Sequence, residues 1–303
     1  MSFSCALEQK RSRLQARARI FNEIRAFFTC RDFLEVETPH RIPSNAPELH
    51  IDAQPSGEQV LHTSPELCMK RLLAAGYPRL FQICHCWRSA ERGARHLPEF
   101  TLLEWYRAHS DYHSLMDDCE RLLTRLIPDT QLHYQGQTID LTPPFERLTL
   151  AEAFARYAPL SLEQALATDQ FEELYSDQVE PDLGRGKPTI LYGFPASMAA
   201  LARCCPINPH QAERFELYIA GLELANAFSE LTDAAEQRQR FEAEEALRRA
   251  QGKPGYPLPE AFLRDLAHMP PAAGIALGLD RLVMLLTDAT TIDQVVAFTP
   301  EDL

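Results

Sequence analysis

The sequence lacks a long apolar run, a signal peptide and any repeated or low-complexity tract. A membrane-spanning helix needs about 20 consecutive apolar residues, so the sequence excludes an integral membrane protein of the helical type. Basic residues are also scarce, because 30 Lys and Arg stand against 43 Asp and Glu, giving a formal net charge of -13. Nucleic-acid binding relies on cations that displace counterions from phosphates. An acidic body therefore opposes association with RNA.

Cysteine spacing gives little support for a metal site. The eight cysteines include Cys84-His85-Cys86 and the adjacent pair Cys204-Cys205. Structural zinc sites prefer cysteine pairs separated by two to four residues, so both spacings favour buried thiols in strands. Because no signal peptide is evident, we expect reduced thiols and a cytoplasmic location.

Residues 87–106 combine an arginine, a charged turn and alternating aromatic and acidic side chains. Arg88 offers a planar fork that can grip phosphate or carboxylate. Read as a strand, the second half places Phe100, Glu104 and Tyr106 on one face, since side chains alternate with period two. That face suits a nucleotide beside a cationic small molecule.

Residues 212–230 predict a β-hairpin with Ala220-Gly221 as its two-residue turn. In that register Tyr218 faces Glu223, and Glu216 lies on the same face as their diagonal neighbour. Two long carboxylates at this separation can share one divalent cation. The alternative is a pair of solvated glutamates on an edge hairpin.

The same alternation places Asn226 and Glu230 on the face opposite Glu223. If all these polar side chains line one site, the strand must contain a β-bulge. The sequence does not give its position.

Residues 274–286 join a small-residue run to an apolar helix. Small residues at 274, 276 and 278 allow close backbone approach. Asp280 is expected to cap the helix, and Arg281 falls in its first turn. Arginine is unfavourable at the positive end of a helix dipole unless an anion binds there. One interpretation of this segment is a phosphate-binding site. The alternative is that the glycines serve packing and Arg281 forms a surface ion pair.

Taken in order, these three segments resemble the signature motifs of class II aminoacyl-tRNA synthetases, most closely the lysine-specific branch. The first motif of that family resembles residues 31–39, which would supply a dimer interface. Two further matches lie between, at residues 63–66 and 69–72. The resemblance runs from about residue 11 to the C-terminus. It implies an α+β fold in which an antiparallel sheet is flanked by helices.

The resemblance also implies one catalytic domain over residues 1–303, with a helical insertion at about 146–205 and no anticodon-binding domain. Together with the acidity, this points to a truncated paralogue of lysyl-tRNA synthetase. Such an enzyme uses ATP and Mg²⁺ to join (R)-β-lysine to a lysine side chain of elongation factor P, and works as a homodimer without tRNA. The alternatives are a minimal tRNA synthetase, or another amide-forming ligase of the same fold, and a regulatory paralogue that binds amino acid without activating it.

Matching the family motifs residue by residue implies three sets of site residues. The catalytic cations are Arg88 and Arg281. The ATP site comprises Arg88, Glu91, His96, Phe100, Glu216, Glu223, Leu224, Gly278 and Arg281, with Glu216 and Glu223 also holding magnesium. The amino-acid site comprises Ser64, Glu66, Glu104, Tyr106, Asn226, Phe228, Glu230 and Ala276.

Three positions depart from the family pattern. Ala90 stands where a glutamate reads the adenine amino group, so Glu91 takes that role or backbone groups do. Leu97 replaces an asparagine that follows in the same loop. Ala276 replaces a glycine, and its methyl group is expected to change the pocket floor and disfavour α-lysine.

Overall fold

The computed structural model describes residues 3–303. The helices are α1 (Phe3–Thr29), α2 (Glu66–Ala74), α3 (Tyr112–Leu126), α4 (Leu150–Tyr157), α5 (Leu162–Ala167), α6 (Phe171–Leu174), α7 (Ala234–Ala250), α8 (Glu260–Leu266) and α9 (Leu279–Leu286). The strands are β1 (Leu34–Glu35), β2 (Arg41–Ile42), β3 (Pro55–Ser56), β4 (Gln59–Leu61), β5 (Arg79–Trp87), β6 (Glu99–Ala108), β7 (Gln131–Tyr134), β8 (Gln137–Asp140), β9 (Glu146–Thr149), β10 (Thr189–Tyr192), β11 (Arg214–Ile219), β12 (Leu222–Ser229) and β13 (Ala272–Gly278). None of these helices is both long enough and apolar enough to cross a bilayer.

An eight-stranded sheet in the order β1-β5-β6-β13-β12-β11-β10-β9 organises the chain. Its six strands from β5 to β10 are antiparallel, whereas the edge pairs β1/β5 and β9/β10 are parallel. Each parallel pair is joined by a long connection that contains helices, as parallel pairing requires. The α+β prediction is therefore confirmed, and the prediction of an antiparallel sheet is corrected at the two edges.

One face of the sheet carries the main core. Helices α1 and α3 pack there, where Phe28 stacks on Phe81 at 4.9 Å and contacts Trp105 at 5.2 Å between ring centroids. Helices α2, α7 and α8 cover part of the opposite face around Tyr106 and Phe241. That second cover is incomplete, so part of the opposite face is left to form a cleft.

The hairpin of β11 and β12 forms as predicted, with Ala220 and Gly221 both at positive φ, 55° and 69°. Tyr218 pairs with Glu223, but Leu217 pairs with Ala225, so Leu224 is an extra residue in β12. This is the β-bulge that the sequence required without locating. The bulge reverses the alternation of side chains along β12. Glu223 therefore shares a face with Asn226 and Phe228.

The range 146–205 is helical only in its centre. Helices α4 to α6 and a π-helical turn at Tyr175–Val179 fill that centre. The flanking segments β9 and β10 instead pair with each other and extend the main sheet. The predicted helical insertion is thus corrected at both ends, and the single-domain division stays a prediction.

Asp280 does not cap α9, which corrects its predicted role. Gly278 is the N-cap residue, and no side chain caps the helix. The Asp280 carboxylate instead accepts hydrogen bonds from the Arg17 guanidinium and from the Thr101 backbone N–H, the latter at 2.7 Å. Asp280 therefore anchors α9 to α1 and β6. Arg281 lies in the first turn, as predicted, and faces the cleft.

Replacing Gly221 with alanine is expected to destabilise the protein more than the same change at Gly136. Both glycines occupy the second position of a two-residue turn, at φ +69° and +74°. A Cβ at Gly221 would lie 2.7 Å from the Pro181 carbonyl oxygen, whereas nothing lies within 4 Å of one at Gly136. We expect losses of roughly 2–4 and about 1 kcal/mol in unfolding free energy, measured by urea titration. Equal losses would show that Pro181 gives way freely.

Candidate active site

The cleft is a cavity of about 420 Å³ on the sheet face opposite α1 and α3. The structure brings most of the predicted site residues to its wall: Ser64, Glu66, Arg88, Glu91, His96, Phe100, Glu104, Tyr106, Glu223, Leu224, Asn226, Phe228, Ala276, Gly278 and Arg281. Two predicted residues, Glu216 and Glu230, lie behind that wall. Arg88 and Arg281 lie at one end, with Glu91 and Glu223 beside them, and we call this the arginine end. Glu66 and Glu104 lie at the other end, the glutamate end.

The floor consists of side chains that are neighbours across three strands. Asn226, Ala276 and Glu104 form one cross-strand row. In the next row, a Cβ on Gly274 would lie 2.2 Å from the Tyr106 ring, so only glycine fits. The predicted close approach is confirmed at 274. At Gly278 the nearest atom would be 3.9 Å away, so that glycine borders open space.

At the arginine end, Arg281 is held by backbone acceptors. Its guanidinium donates to the Glu223 carbonyl at 2.7 Å and to the Arg95 carbonyl at 3.3 Å. Arg88 lies over the Phe100 ring at 5.0 Å from the centroid. Two guanidinium groups and the N-terminus of α9 thus converge where a polyphosphate could bind.

His96 is a neutral acceptor at this end. Its Nε2 accepts a hydrogen bond from Arg281. Burial, together with the charges of Arg281, Arg88 and Arg95, lowers the pKa of His96 to about 4. At neutral pH the imidazole therefore adds no charge and orients the Arg281 guanidinium.

Glu216 and Glu223 lie on one face, as predicted for magnesium ligands. Burial and the charge of Glu216 raise the pKa of Glu223 to about 7, so these two carboxylates repel each other. Glu216 accepts hydrogen bonds from Tyr175 and Tyr218 at 2.8 and 2.7 Å, and pairs with Arg214 at 2.6 Å. Carboxylate oxygens are the donors that Mg²⁺ prefers. The pair therefore fits the ion, with Glu223 alone on the cavity wall.

The departures at residues 90 and 97 have local structural explanations. Ala90 adopts a left-handed conformation with φ 64°, and this turn leaves Glu91 on the cavity wall, 3.9 Å from the Arg88 guanidinium. Leu97 is buried against Val283 and Met284 of α9. Its side chain therefore secures the helix that carries Arg281.

At the glutamate end, Glu104 lacks one partner. Its Oε2 accepts a hydrogen bond from the Tyr106 hydroxyl at 2.8 Å, while Oε1 is buried without a hydrogen-bond partner. Burial, followed by the charge of Glu66, raises the pKa of Glu104 to about 8. A buried, unpartnered carboxylate oxygen on a cavity wall is suited to an ammonium group, because the pair would satisfy both groups.

Lys70 is a site residue that the sequence analysis missed. Its buried ammonium lies 2.5 Å from both Glu66 and Glu230. Burial alone would lower the pKa of Lys70, but the two carboxylates outweigh it and raise the pKa. Lys70 shares the buried face of α2 with Leu67 and Leu73, so its helical spacing was a usable signal. Lys70 therefore partly neutralises Glu66 and Glu230, which are two of the three glutamates predicted to bind the substrate.

Four more charged residues line the cavity without having been predicted as site residues: Glu48, Arg95, Arg214 and Asp280. Burial, followed by the charge of Glu66, raises the pKa of Glu48 to about 7. Arg214 precedes Glu216 by two residues on β11 and therefore shares its face, which the strand pattern could have revealed. Glu48 lies in a loop, where no periodic signal exists.

Binding of a ligand's ammonium group at the glutamate end is expected to release a proton from Glu104. Below its pKa of about 8 this carboxyl is mostly protonated in the empty cleft, whereas an ammonium group favours the ionised form. The affinity for the ligand should therefore rise as the pH increases from 6.5 to about 8. Above pH 8 the number of protons released on binding should fall towards zero. Calorimetry at pH 7 in two buffers of different ionisation enthalpy measures the release. Glu104→Gln should remove it, and an unchanged release would assign the proton elsewhere.

Removing Lys70 is expected to destabilise the fold far more than removing its neighbour Arg71. Lys70→Met leaves two buried carboxylates uncompensated, at a cost of about 3–5 kcal/mol in unfolding free energy. Arg71 pairs with Asp265 at 2.6 Å with 43% of its side chain exposed, so Arg71→Met should cost about 1 kcal/mol or less. Adding Glu230→Gln to Lys70→Met should recover part of the loss in urea titrations. Equal effects of the two single changes would contradict a stabilising role for Lys70.

Comparison with known proteins identifies the family of this chain. Three relatives carry the name elongation factor P--(R)-beta-lysine ligase. The protein from Haemophilus influenzae strain PittGG is 42% identical over 307 aligned residues, covering 95% of each chain. The one from Hamiltonella defensa is 40% identical over 314, covering 96% of this chain and 95% of its own. The one from Salmonella paratyphi A is 42% identical over 309, covering 94% of each. The family described as tRNA synthetases class II (D, K and N) matches residues 3–302, and this chain belongs to that family.

Proposed function

We propose that this protein is an ATP-dependent ligase that activates (R)-β-lysine as an adenylate and transfers it to a lysine side chain of elongation factor P. One observation carries the proposal: a single cavity joins an arginine end to a glutamate end where the Glu104 Oε1 atom has no partner. The names of relatives at 40–42% identity over nearly the whole chain support the same substrates.

In the activation step, a carboxylate oxygen of the amino acid attacks the α-phosphorus of ATP. A P–O bond forms, the bond from the α-phosphorus to the bridging oxygen breaks, and pyrophosphate leaves. Arg88 and Arg281 neutralise the charge that develops on the phosphate oxygens, and His96 keeps Arg281 oriented. Such chemistry depends on positioning and electrostatics more than on a protein nucleophile.

Glu216 and Glu223 would hold magnesium, which neutralises phosphate charge when bound. The protein's own contribution is to fix these carboxylates. Tyr175, Tyr218 and Arg214 hold Glu216 in place through the bonds described above. Glu223 in turn lies 3.5 Å from Arg281, so the metal ligands and the phosphate-binding arginine form one unit.

In the transfer step, the neutral ε-amine of the acceptor lysine attacks the acyl carbon. A C–N bond forms, the bond from the acyl carbon to the phosphate oxygen breaks, AMP leaves, and the proton of the amine passes to solvent. His96 is a poor base for that proton, because its Nε2 accepts from Arg281 and its pKa is lowered to about 4. The described residues of the arginine end are thus binding groups for the nucleotide.

Two features favour β-lysine on elongation factor P over α-lysine on tRNA. The Ala276 side chain lies on the cavity wall between Asn226 and Glu104, where its methyl group occupies space that glycine would leave free for a substrate. The net charge of -13 opposes binding of RNA phosphates.

We also propose a homodimer and a cytoplasmic location. Residues 31–39 contain the edge strand β1, where Leu34 is 49% exposed. A sheet edge with unpaired backbone groups is suited to pairing with a second chain. The seven cysteines whose side chains the structure describes are free thiols, and both they and a translation factor as substrate fit the cytoplasm.

Pyrophosphate exchange with (R)-β-lysine, with α-lysine and without amino acid tests the activation step. We expect rapid exchange with (R)-β-lysine alone, and a mass gain of one β-lysyl residue on elongation factor P. Arg88→Ala and Arg281→Ala should each lower the exchange rate by roughly 10²–10³-fold, because each removes a fixed charge from the transition state.

Arg125→Ala is the matched control, since Arg125 is exposed and pairs with Glu23 outside the cavity. It should leave exchange unchanged. Absence of exchange with every diamine would refute a ligase activity, and efficient charging of tRNA would refute elongation factor P as the acceptor.

A further inference from the structure

A buried cluster of two thiols and an imidazole lies outside the machinery described above. Cys84 and Cys86 are two residues apart on β5 and point to the same face, and His62 packs beside them. The sulfur atoms are 3.9 Å apart, and Cys86 Sγ lies 3.8 Å from His62 Nε2. One potential ligand atom from each residue lies within 4.8 Å of the other two. All three residues are at most 6% exposed.

The sulfur–sulfur distance and the Cys86–His62 distance are close to those between neighbouring ligands of a tetrahedral thiolate–imidazole site, in which this cluster would supply three of the four ligands. Zinc lies about 2.3 Å from sulfur and about 2.0–2.1 Å from imidazole nitrogen, which places neighbouring ligands roughly 3.5–3.8 Å apart. The observed sulfur–sulfur and sulfur–nitrogen separations need to shorten by only a few tenths of an ångström. The spacing of Cys84 and Cys86 alone argued against a metal site. The third potential ligand, His62, comes from another segment of the chain.

Backbone hydrogen bonds hold the ligands in place. The backbone N–H of His62 donates to the His40 carbonyl at 2.8 Å, and the backbone N–H of Trp87 donates to the His62 carbonyl at 3.0 Å. His62 therefore sits where the small sheet of β2, β3 and β4 meets the end of β5. The Nε2 atom of His62 also lies 2.7 Å from the His85 carbonyl oxygen. Coordination of a metal through Nε2 would replace that hydrogen bond, at a cost of about 1 kcal/mol.

A disulfide between the two cysteines suits this geometry less well. Residues i and i+2 of an extended strand have Cα atoms about 6.6 Å apart, close to the upper limit for a disulfide. A metal ion needs no direct sulfur–sulfur bond, so it is compatible with the extended backbone of β5.

We propose that Cys84, Cys86 and His62 form a binding site for a thiophilic d¹⁰ cation, with Zn²⁺ as the ion of best charge match. Two thiol protons leave to solvent as two metal–sulfur bonds form, and no oxidation occurs. The two thiolates then balance the double charge of zinc in an apolar setting, as burial requires. His40 is exposed, with its ring centroid 5.1 Å from that of His62, and marks the surface from which an ion would approach.

The site would stiffen the floor of the cavity. Cys86 pairs across the strands with Phe100, and Cys84 pairs with Leu102. Both partners line the cavity, and the four side chains pack together. Metal binding at this cluster therefore fixes strand β5 against the strand that carries Phe100.

Zinc titration against a chromophoric chelator, with elemental analysis of the purified full chain, tests the site. We expect one zinc per chain, and cobalt substitution should give the intense thiolate-to-metal charge-transfer band of a two-thiolate site. His62→Gln should weaken zinc binding on the order of 100-fold, and Cys84→Ser with Cys86→Ser should abolish it.

Cys204→Ser with Cys205→Ser is the matched control, because it removes the other close cysteine pair and should retain the ion. Retention of zinc by the Cys84/Cys86 variant, or its loss only from the Cys204/Cys205 variant, would overturn the proposal. If the Cys84/Cys86 variant fails to fold, the cobalt spectrum of the unaltered protein decides, and a band without thiolate character refutes the site.

Discussion

Period-two alternation along β12 sets the constraint on which the cleft depends. A regular strand would send Glu223 to one face and Asn226, Phe228 and Glu230 to the other. The extra residue at Leu224 reverses the alternation between them. The nucleotide end and the amino-acid end of the cavity are thereby built from one strand. A positive-φ turn at Ala220-Gly221 holds the start of that strand.

Charge separation is the second organising feature of the site. Arg88, Arg95, Arg214 and Arg281 lie at or beside one end of the cavity, and Glu66 and Glu104 at the other. Like charges in a buried space repel, and the protein reduces that cost differently at each end. Arg281 is fixed by carbonyl oxygens and a neutral imidazole. At the other end, Glu66 shares the ammonium of Lys70 with Glu230. Burial raises the pKa of Glu104 to about 8, which favours its protonated form at neutral pH.

Local patterns predicted much of the site because strand periodicity is local. Phe100, Glu104 and Tyr106 share a face because they alternate on β6, and Tyr218 opposes Glu223 because a two-residue turn fixes the register. Errors arose where the partner lies far along the chain. Asp280 was expected to cap its own helix, but Arg17 and the Thr101 N–H bind its carboxylate instead. Strands β9 and β10 were read as part of a helical insertion, because strands of only four residues carry little periodic signal.

The resemblance of the sequence motifs to class II synthetases implied the α+β class. Spacing over a few residues determined the hairpin, the helix that carries Arg281 and the side chains that alternate toward the cleft. Tertiary structure decided the position of the β-bulge, the burial of Lys70 between Glu66 and Glu230, and the approach of His62 to Cys84 and Cys86. These features join segments distant in sequence, and their energies depend on burial and on separations that only the folded sheet defines.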